Sequence, residues 1–256
     1  MKKVMKISLW ILLFAALFVL VGFIETEHKK TTCKGIEVYI DYNGTAPLIS
    51  ESEILNPILK TFDSLTGKKL SDINSIEIEN LVNSIDFVEN AEVYSTLTGI
   101  LKVKASQRIP VLRVVNNRGQ NFYIDRNGRL FPVKTGLSTR ILVASGNIKT
   151  TYSDTLNIIN SESGVELLNL MKLAQYIEND EFLRAQIEQV YVTGSGEYEM
   201  VPKVGRQLIE FGDITSMEKK FENLKVFYKD GMKRAGWDAY KTINLKFDNQ
   251  VVCEKK

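Results

Sequence analysis

Residues 88–105 read VENAEVYSTLTGILKVKA, and this stretch decides the fold of the first half of the chain. In its last part, ILKVKA (100–105), apolar residues alternate with lysines, which is typical of a strand with one buried face and one solvent-exposed face. Thr98-Gly99 separates this run from a second strand-like run, Val88–Ser95. We therefore expect two antiparallel strands joined by a short turn.

Two helices are predicted upstream of these strands. Ser50-Glu51-Ser52-Glu53 is a capping-box pattern, and apolar residues follow it at helical spacing, with Pro57 as the one discordant residue. The second helix is predicted by a stripe of apolar residues at i, i+3, i+4 and i+7, namely Ile78, Leu81, Val82 and Ile85. With a strand signal at 36–40, the order over Ile36 to Ala105 is strand, helix, helix, strand, strand. This is an α+β unit, and we expect the second helix to pack on the strand of Leu101 and Val103.

After Pro110 the pattern becomes rich in strands. The Asn127-Gly128 pair between apolar runs predicts a hairpin. Two amphipathic helices are predicted, one beginning at 161 or 162 and one over 217–228. Strands are predicted at 111–115, 121–124, 130–133, 141–144, 187–192, 198–201, 207–211 and 242–252.

The chain opens with an apolar run, ISLWILLFAALFVLVGFI, at 7–24. A run of about 18 apolar residues is long enough to cross a bilayer as a helix. Lys2, Lys3 and Lys6 precede it, which favours a cytoplasmic N-terminus and a body outside the cytoplasm. A cleaved signal peptide is the alternative, but no small-x-small cleavage site follows the run.

The composition argues against several kinds of chemistry. The formal net charge is only +2, which does not predict a nucleic-acid-binding protein. The single histidine, His28, lies next to the predicted span, so histidine-based triads and metal sites are not expected. No glycine-rich phosphate loop is present in the sequence. The two cysteines, Cys33 and Cys253, lie at opposite ends of the predicted body, and we expect them to stay unpaired.

Three segments together resemble the FtsQ/DivIB family of bacterial cell-division proteins. Residues 106–111, SQRIPV, are similar to the family's charged junction after the first unit. Residues 121–131, NFYIDRNGRLF, resemble its characteristic hairpin, and residues 242–252, TINLKFDNQVV, resemble its closing strand. Asn244 stands where the family usually has an acidic residue, and Lys246 stands where it usually has arginine.

The resemblance implies a single-pass protein of the bacterial cytoplasmic membrane at the division septum. It implies a cytoplasmic tail (1–6), a transmembrane helix (7–24), a spacer (25–34), a polypeptide-transport-associated (POTRA) domain (35–105) and a C-terminal β domain (106–256). It also implies a non-enzymatic scaffold without cofactors, whose partners are other bitopic division proteins of the FtsB and FtsL type. Neither a nucleic acid nor a small-molecule substrate is implied.

The closing segment is the predicted partner-binding site. An exposed edge strand offers unpaired N–H and C=O groups to an incoming strand, and we expect 242–252 to be such an edge. Arg108 and Pro110 are predicted to mark the junction between the two domains. The residues predicted to bind a partner are Thr242, Ile243, Asn244, Leu245, Lys246, Phe247, Asp248, Gln250 and Val251.

Two other functions remain open from the sequence. POTRA units also occur in outer-membrane assembly and secretion factors, but the strands after Pro110 are too few and too interrupted by helices for a membrane barrel. A membrane-anchored cell-wall hydrolase would need a pair of buried carboxylates with perturbed pKa values. The acidic residues Glu178, Asp180 and Glu181 cluster instead at a predicted helix end that faces solvent.

Overall fold

The computed structural model describes residues 10, 12–16, 31–137, 139–236, 239–248 and 250–256. The chain divides into two compact units, Met1–Arg108 and Ile109–Lys256. Of the predicted span at 7–24, only residue 10 and residues 12–16 are described; the rest of that prediction lies outside the described residues. Within the described ranges, no helix combines the length and apolar character that crossing a bilayer requires.

The first unit contains a three-stranded sheet and two helices. Its elements are β1 (Gly35–Asp41), α1 (Glu51–Thr61), α2 (Ser75–Asn83), β2 (Val88–Ser95) and β3 (Ile100–Gln107), with a 3-10 turn at Leu70–Asp72. The strand order is β1-β3-β2, in which β3 pairs in parallel with β1 and antiparallel with β2. The structure thus confirms the two antiparallel strands that the alternating pattern predicts.

The helix starts follow from local hydrogen bonds. At α1 the Glu53 carboxylate accepts hydrogen bonds from the Ser50 backbone N–H at 3.0 Å and from the Ser50 hydroxyl at 2.8 Å. At α2 the Asn74 side-chain oxygen accepts from the Glu77 N–H at 3.4 Å. These contacts satisfy donors that the first turn of a helix leaves without a partner. Helix α1 continues through Pro57.

The core of the first unit lies between the two helices and one face of the sheet. Ile78 and Val82 of α2 are fully buried, as are Leu101 and Val103 of β3. Leu81 packs against the same core but is only partly buried. The predicted packing of α2 on β3 is therefore confirmed, with Val82 rather than Leu81 as the deepest side chain of the adjacent pair.

The second unit is a nine-stranded sheet with helices. Its strands are β4 (Pro110–Val115), β5 (Asn121–Asp125), β6 (Leu130–Pro132), β7 (Val143–Gly146), β8 (Ile187–Val192), β9 (Tyr198–Pro202), β10 (Leu208–Gly212), β11 (Tyr240–Asn244) and β12 (Val252–Lys255). Its helices are α3 (Val165–Asn179), α4 (Glu181–Gln186), α5 (Met217–Val226), a π-helix at Phe227–Gly231 and α6 (Met232–Ala235), with a 3-10 turn at Glu162–Gly164. The order across the sheet is β12-β11-β10-β9-β8-β7-β4-β5-β6.

Three of the strand pairs in this sheet are parallel. Strand β7 runs parallel to both β4 and β8, and β10 runs parallel to β11. Each parallel pair needs a long connection, which is why β5 and β6 lie between β4 and β7 in the sequence, and helices lie between β7 and β8 and between β10 and β11. At the end of β7, Gly146 has a φ of 100°, and a Cβ there would collide with the carbonyl oxygen of Val192. Glycine therefore permits the close approach of β7 and β8.

Aromatic side chains join the helices to the sheet near β10. The rings of Tyr176 on α3 and Phe221 on α5 stack with centroids 4.9 Å apart. Phe221 also meets Phe211 of β10 at 4.8 Å. Both phenylalanines are fully buried. This cluster fixes α3 and α5 against the part of the sheet that carries β10, β11 and β12.

Candidate functional site

The closing segment forms two strands where the sequence predicts one. The chain leaves β11 after Asn244, makes a turn around Asp248 and returns antiparallel as β12. Strand β11 has β10 on its other side, so it is internal to the sheet. The prediction that 242–252 is a single edge strand is therefore wrong, because the turn gives β11 a second neighbour. The last strand in the sheet order at this end is β12.

The predicted site residues accordingly occupy different positions. Thr242, Ile243 and Asn244 lie in β11. The others lie in the connection between β11 and β12, which contains Leu245, Lys246, Phe247, Asp248, Gln250 and Val251. All the residues predicted to bind a partner lie in β11 or in the connection that follows it, close to the edge of the sheet, but none of them belongs to β12, the edge strand. Three residues of β12, Cys253, Glu254 and Lys255, lie outside the segment predicted from the sequence. Asp248-Asn249, a pair typical of turns, is the signal that identifies the reversal.

The backbone of β12 has one side free for a further strand. Just after β12, the Lys256 N–H donates to the carbonyl of Ala239, the residue before β11, at 3.3 Å. The even-numbered amides of β12 therefore point towards β11. On the far side of β11, Leu245 N–H donates to the Glu210 carbonyl at 2.9 Å. Successive amides of a strand point in opposite directions, so the N–H groups of Cys253 and Lys255 point away from β11. No strand in the described part of the chain pairs with that side of β12.

Asn244 has a structural role within the sheet. Its side-chain amide donates a hydrogen bond to the Glu210 carboxylate, and its side-chain oxygen accepts from the Lys246 N–H at 2.9 Å. Its backbone lies opposite Glu210 on one side and Val252 on the other. A proline here would break an internal ladder and destabilise the unit.

Two apolar side chains of the β11–β12 region are exposed. Ile243 and Leu245 are buried in the core, whereas Phe247 is 48% exposed and Val252 is 42% exposed. Phe247 lies beyond the end of β11, so it does not share the buried face of the strand with Ile243. The connection and the first residue of β12 therefore each present one exposed apolar side chain.

Positive charge lies beside these apolar groups. A cavity of 190 Å³ next to the β11–β12 connection is lined by three lysines, Lys219, Lys220 and Lys246, and by two carboxylates, Asp213 and Asp248. Lys220 donates to the Asp213 carboxylate at 3.0 Å, and this hydrogen bond lowers the pKa of Asp213. Lys246 forms an ion pair with Glu197 at 3.3 Å. Lys219 is exposed and forms no ion pair with any described carboxylate.

Arg108 and Pro110 belong to different units and are both buried. Arg108 Nε donates to the Asp86 carbonyl at 2.9 Å, and Nη2 donates to the Val88 carbonyl at 2.6 Å. The guanidinium therefore ties the end of β3 to the start of β2. Pro110 is the first residue of β4, a position where its missing N–H is tolerated.

In the described ranges, the thiols and carboxylates show no arrangement for metal binding. Cys33 and Cys253 are both free, and burial raises the pKa of the Cys253 thiol, which lowers its reactivity. Asp180 has a lowered pKa, first because the Leu183 backbone N–H donates to it and then because Lys225 does. Among the residues described, no three His, Cys, Asp or Glu side chains come together as a metal site would require.

Comparison with known families accounts for both units. Residues 31–106 match the POTRA-like domain, and residues 109–254 match the family described as FtsQ/DivIB, C-terminal related. No curated protein matches the sequence. The second match covers more than half of the chain, and the family consists of non-enzymatic division proteins. The chain therefore belongs to the FtsQ/DivIB, C-terminal related family and is a division-associated protein.

Proposed function

We propose that this protein is a bitopic scaffold of the bacterial division machinery. The apolar run at 7–24 anchors it in the cytoplasmic membrane, and its two units lie outside the cytoplasm at the septum. There it recruits other single-span division proteins of the FtsB and FtsL type. Membership of the FtsQ/DivIB family and the length of the apolar run support this proposal.

The observation that carries the proposal is the open side of β12. A partner segment in an extended conformation adds to the sheet there and exchanges backbone hydrogen bonds with Cys253 and Lys255. Backbone bonds give such a complex its affinity, and contacts with alternate side chains give it selectivity. β12 is only four residues long, so the backbone ladder is short and the neighbouring side chains contribute to specificity.

The side chains around β12 indicate which partner sequence fits. Phe247 and Val252 offer apolar contacts, so the added strand carries apolar residues facing them. Lys219 is exposed close by, so acidic residues flank the apolar ones in the partner. Charge contacts of this kind at a rim mainly set the association rate and its dependence on salt.

Depletion followed by complementation tests the proposal in cells. Loss of the protein gives filaments that do not divide, visible by microscopy, and the wild-type gene restores division. A Cys253→Ala protein keeps the outward N–H of residue 253 and also restores division. A Cys253→Pro protein lacks that N–H, and we expect it to fold and reach the membrane but leave the cells filamentous.

The two variants share the loss of the thiol, so their difference isolates the backbone donor. Thermal melting of both purified proteins shows whether proline has unfolded the unit. Normal septation after depletion would refute the division role. Full complementation by a folded Cys253→Pro protein would refute strand addition at β12 while leaving the division role intact.

A further inference from the structure

A cavity of 460 Å³ opens in the second unit where β7 and β8 begin. Three strands separate β8 from β12 in the sheet, so this cavity is distinct from the proposed partner-binding edge. Its walls come from four places: β4, the segment leading into β7, the end of α3 with α4, and the segments around β8 and β9. Nothing in the proposed scaffold role uses it.

Positive charge dominates the walls of the cavity. Four basic and two acidic side chains line it, a formal excess of two positive charges: Arg113, Arg140, Arg184, Lys203, Glu178 and Glu188. Glu178 lies 3.6 Å from Arg184, so these two groups compensate each other in part. The remaining basic groups outnumber the remaining carboxylate, which favours an anion over a cation in the cavity.

Two of the arginines have guanidinium N–H donors without an acceptor among the described residues. Arg113 donates through Nε to the Asn121 side-chain oxygen at 3.0 Å, and its two terminal nitrogens have no acceptor among the described residues. Arg140 forms no hydrogen bond or ion pair with any residue that the structure describes. Lys203 differs, because its ammonium group donates to the Arg184 carbonyl at 2.8 Å. Arg113 and Arg140 are therefore the groups available to a ligand.

The use of arginine at this cavity departs from the composition of the chain. The sequence has 24 lysines and only 9 arginines, yet three of the four basic side chains here are arginine. A guanidinium presents a planar fork of donors that matches the two oxygens of a carboxylate or a phosphate, whereas lysine acts as a point charge. The choice of residue indicates recognition of a planar or multi-oxygen anion rather than general attraction of negative charge.

Apolar side chains complete the lining. Ile141 and Val143 are part-exposed apolar residues of the lining, and the buried Leu142, Ile177 and Ile187 lie behind the cavity wall. The volume falls within the range of roughly 300–1,000 Å³ that small-molecule sites occupy. A suitable ligand therefore has an anionic head that meets the arginines and an apolar part that meets these side chains.

We propose that this cavity binds a small organic anion in which a carboxylate or a phosphate is attached to an apolar group. The head accepts paired hydrogen bonds from Arg113 and Arg140. Because Glu178 is paired with Arg184, Glu188 is the carboxylate of the lining that repels further negative charge, so the site favours a single anionic head over an extended polyanion. The proposal is independent of strand addition at β12 and does not require it.

Calorimetric titration of the purified full-length chain, held in a nonionic detergent, tests the proposal. Phenyl phosphate and phenylacetate share an aromatic ring and differ in their head group, so together they show which head the site takes. Phenylacetamide is the neutral analogue. We expect saturable binding of at least one anion with a dissociation constant of about 1 mM or lower, and at least about tenfold weaker binding of the amide.

Arginine variants show where the anion binds. Arg140→Gln is expected to weaken binding about tenfold, because it removes a charged donor pair, and Arg140→Lys to weaken it less while retaining the charge. Arg206→Gln is the matched control, since Arg206 is an exposed arginine of the same unit outside the cavity. Absence of saturable binding by either anion, equal binding of the amide, or an equal loss with Arg206→Gln would each overturn the proposal.

Discussion

Replacing Ile243 and Phe247 separately by alanine distinguishes the observed edge of the sheet from a single closing strand. In one continuous strand these two residues share a face and lie in the same environment. In the structure Ile243 is fully buried between neighbouring strands, whereas Phe247 is 48% exposed in the connection after β11. The two substitutions should therefore differ greatly in their effect on stability.

The size of each effect follows from burial. Ile243→Ala removes three buried carbon atoms, worth about 0.8 kcal/mol each or about 2.4 kcal/mol together. The cavity left in a packed core adds about 1 kcal/mol or more, so we expect a total of about 3–4 kcal/mol. Phe247→Ala removes a half-exposed ring and leaves an open surface, so we expect a loss of about 1 kcal/mol.

Urea unfolding followed by far-UV circular dichroism measures both losses. The chain has two compact units, so the transition of the second unit is fitted separately from that of the first. The slope of the free energy against urea should stay constant, which shows that only stability has changed. Equal losses for the two variants, or a larger loss for Phe247→Ala, would refute the observed arrangement of β11 and its connection.

Two further predictions concern the first unit and the pH dependence of the second. Val82→Ala should lower the stability of the first unit by about 2 kcal/mol. Per carbon atom removed, this loss should exceed that of Leu81→Ala, because Val82 is fully buried and Leu81 is not. Urea unfolding measures both losses, and the reverse order would place Leu81 deeper than Val82. The hydrogen bond from Lys220 lowers the pKa of Asp213, so its stabilisation is fully present above the ordinary carboxyl pKa of about 3.9 and is lost as the pH falls from there through the lowered pKa of the folded protein. Asp213→Asn should therefore cost less than about 1 kcal/mol near pH 7, since the carboxylate is largely exposed, and the cost should shrink as the pH falls through this range. A cost that grows towards low pH would contradict this sign.

The sequence predicts the first unit well because its signals are local. The capping box at Ser50, the stripe of Val82 and its neighbours, and the alternation in 100–105 each specify one element without reference to distant residues. The strand order then follows from a short turn between β2 and β3 and from the burial of one sheet face under two helices.

The edge of the second unit is harder to predict because pairing partners are distant in sequence. Strand β11 lies beside β10, and no local pattern distinguishes an internal strand from an edge strand when one of its neighbours is only four residues long. The turn at Asp248 is a local signal, but the apolar residues on both sides of it also suit one continuous strand. The arginine cavity could not be found from the sequence either, since its three arginines lie on segments more than 20 residues apart and meet only through the parallel pairing of β4, β7 and β8.

Amide hydrogen exchange of β12, measured residue by residue by NMR with and without an FtsB-type partner, tests the central claim most directly. In the free protein the N–H of Glu254 points towards β11 and should be protected, while those of Cys253 and Lys255 should exchange freely. Binding of the partner by strand addition should slow exchange at Cys253 and Lys255 and change Glu254 little. Complex formation that leaves the Cys253 and Lys255 amides unprotected would contradict the account.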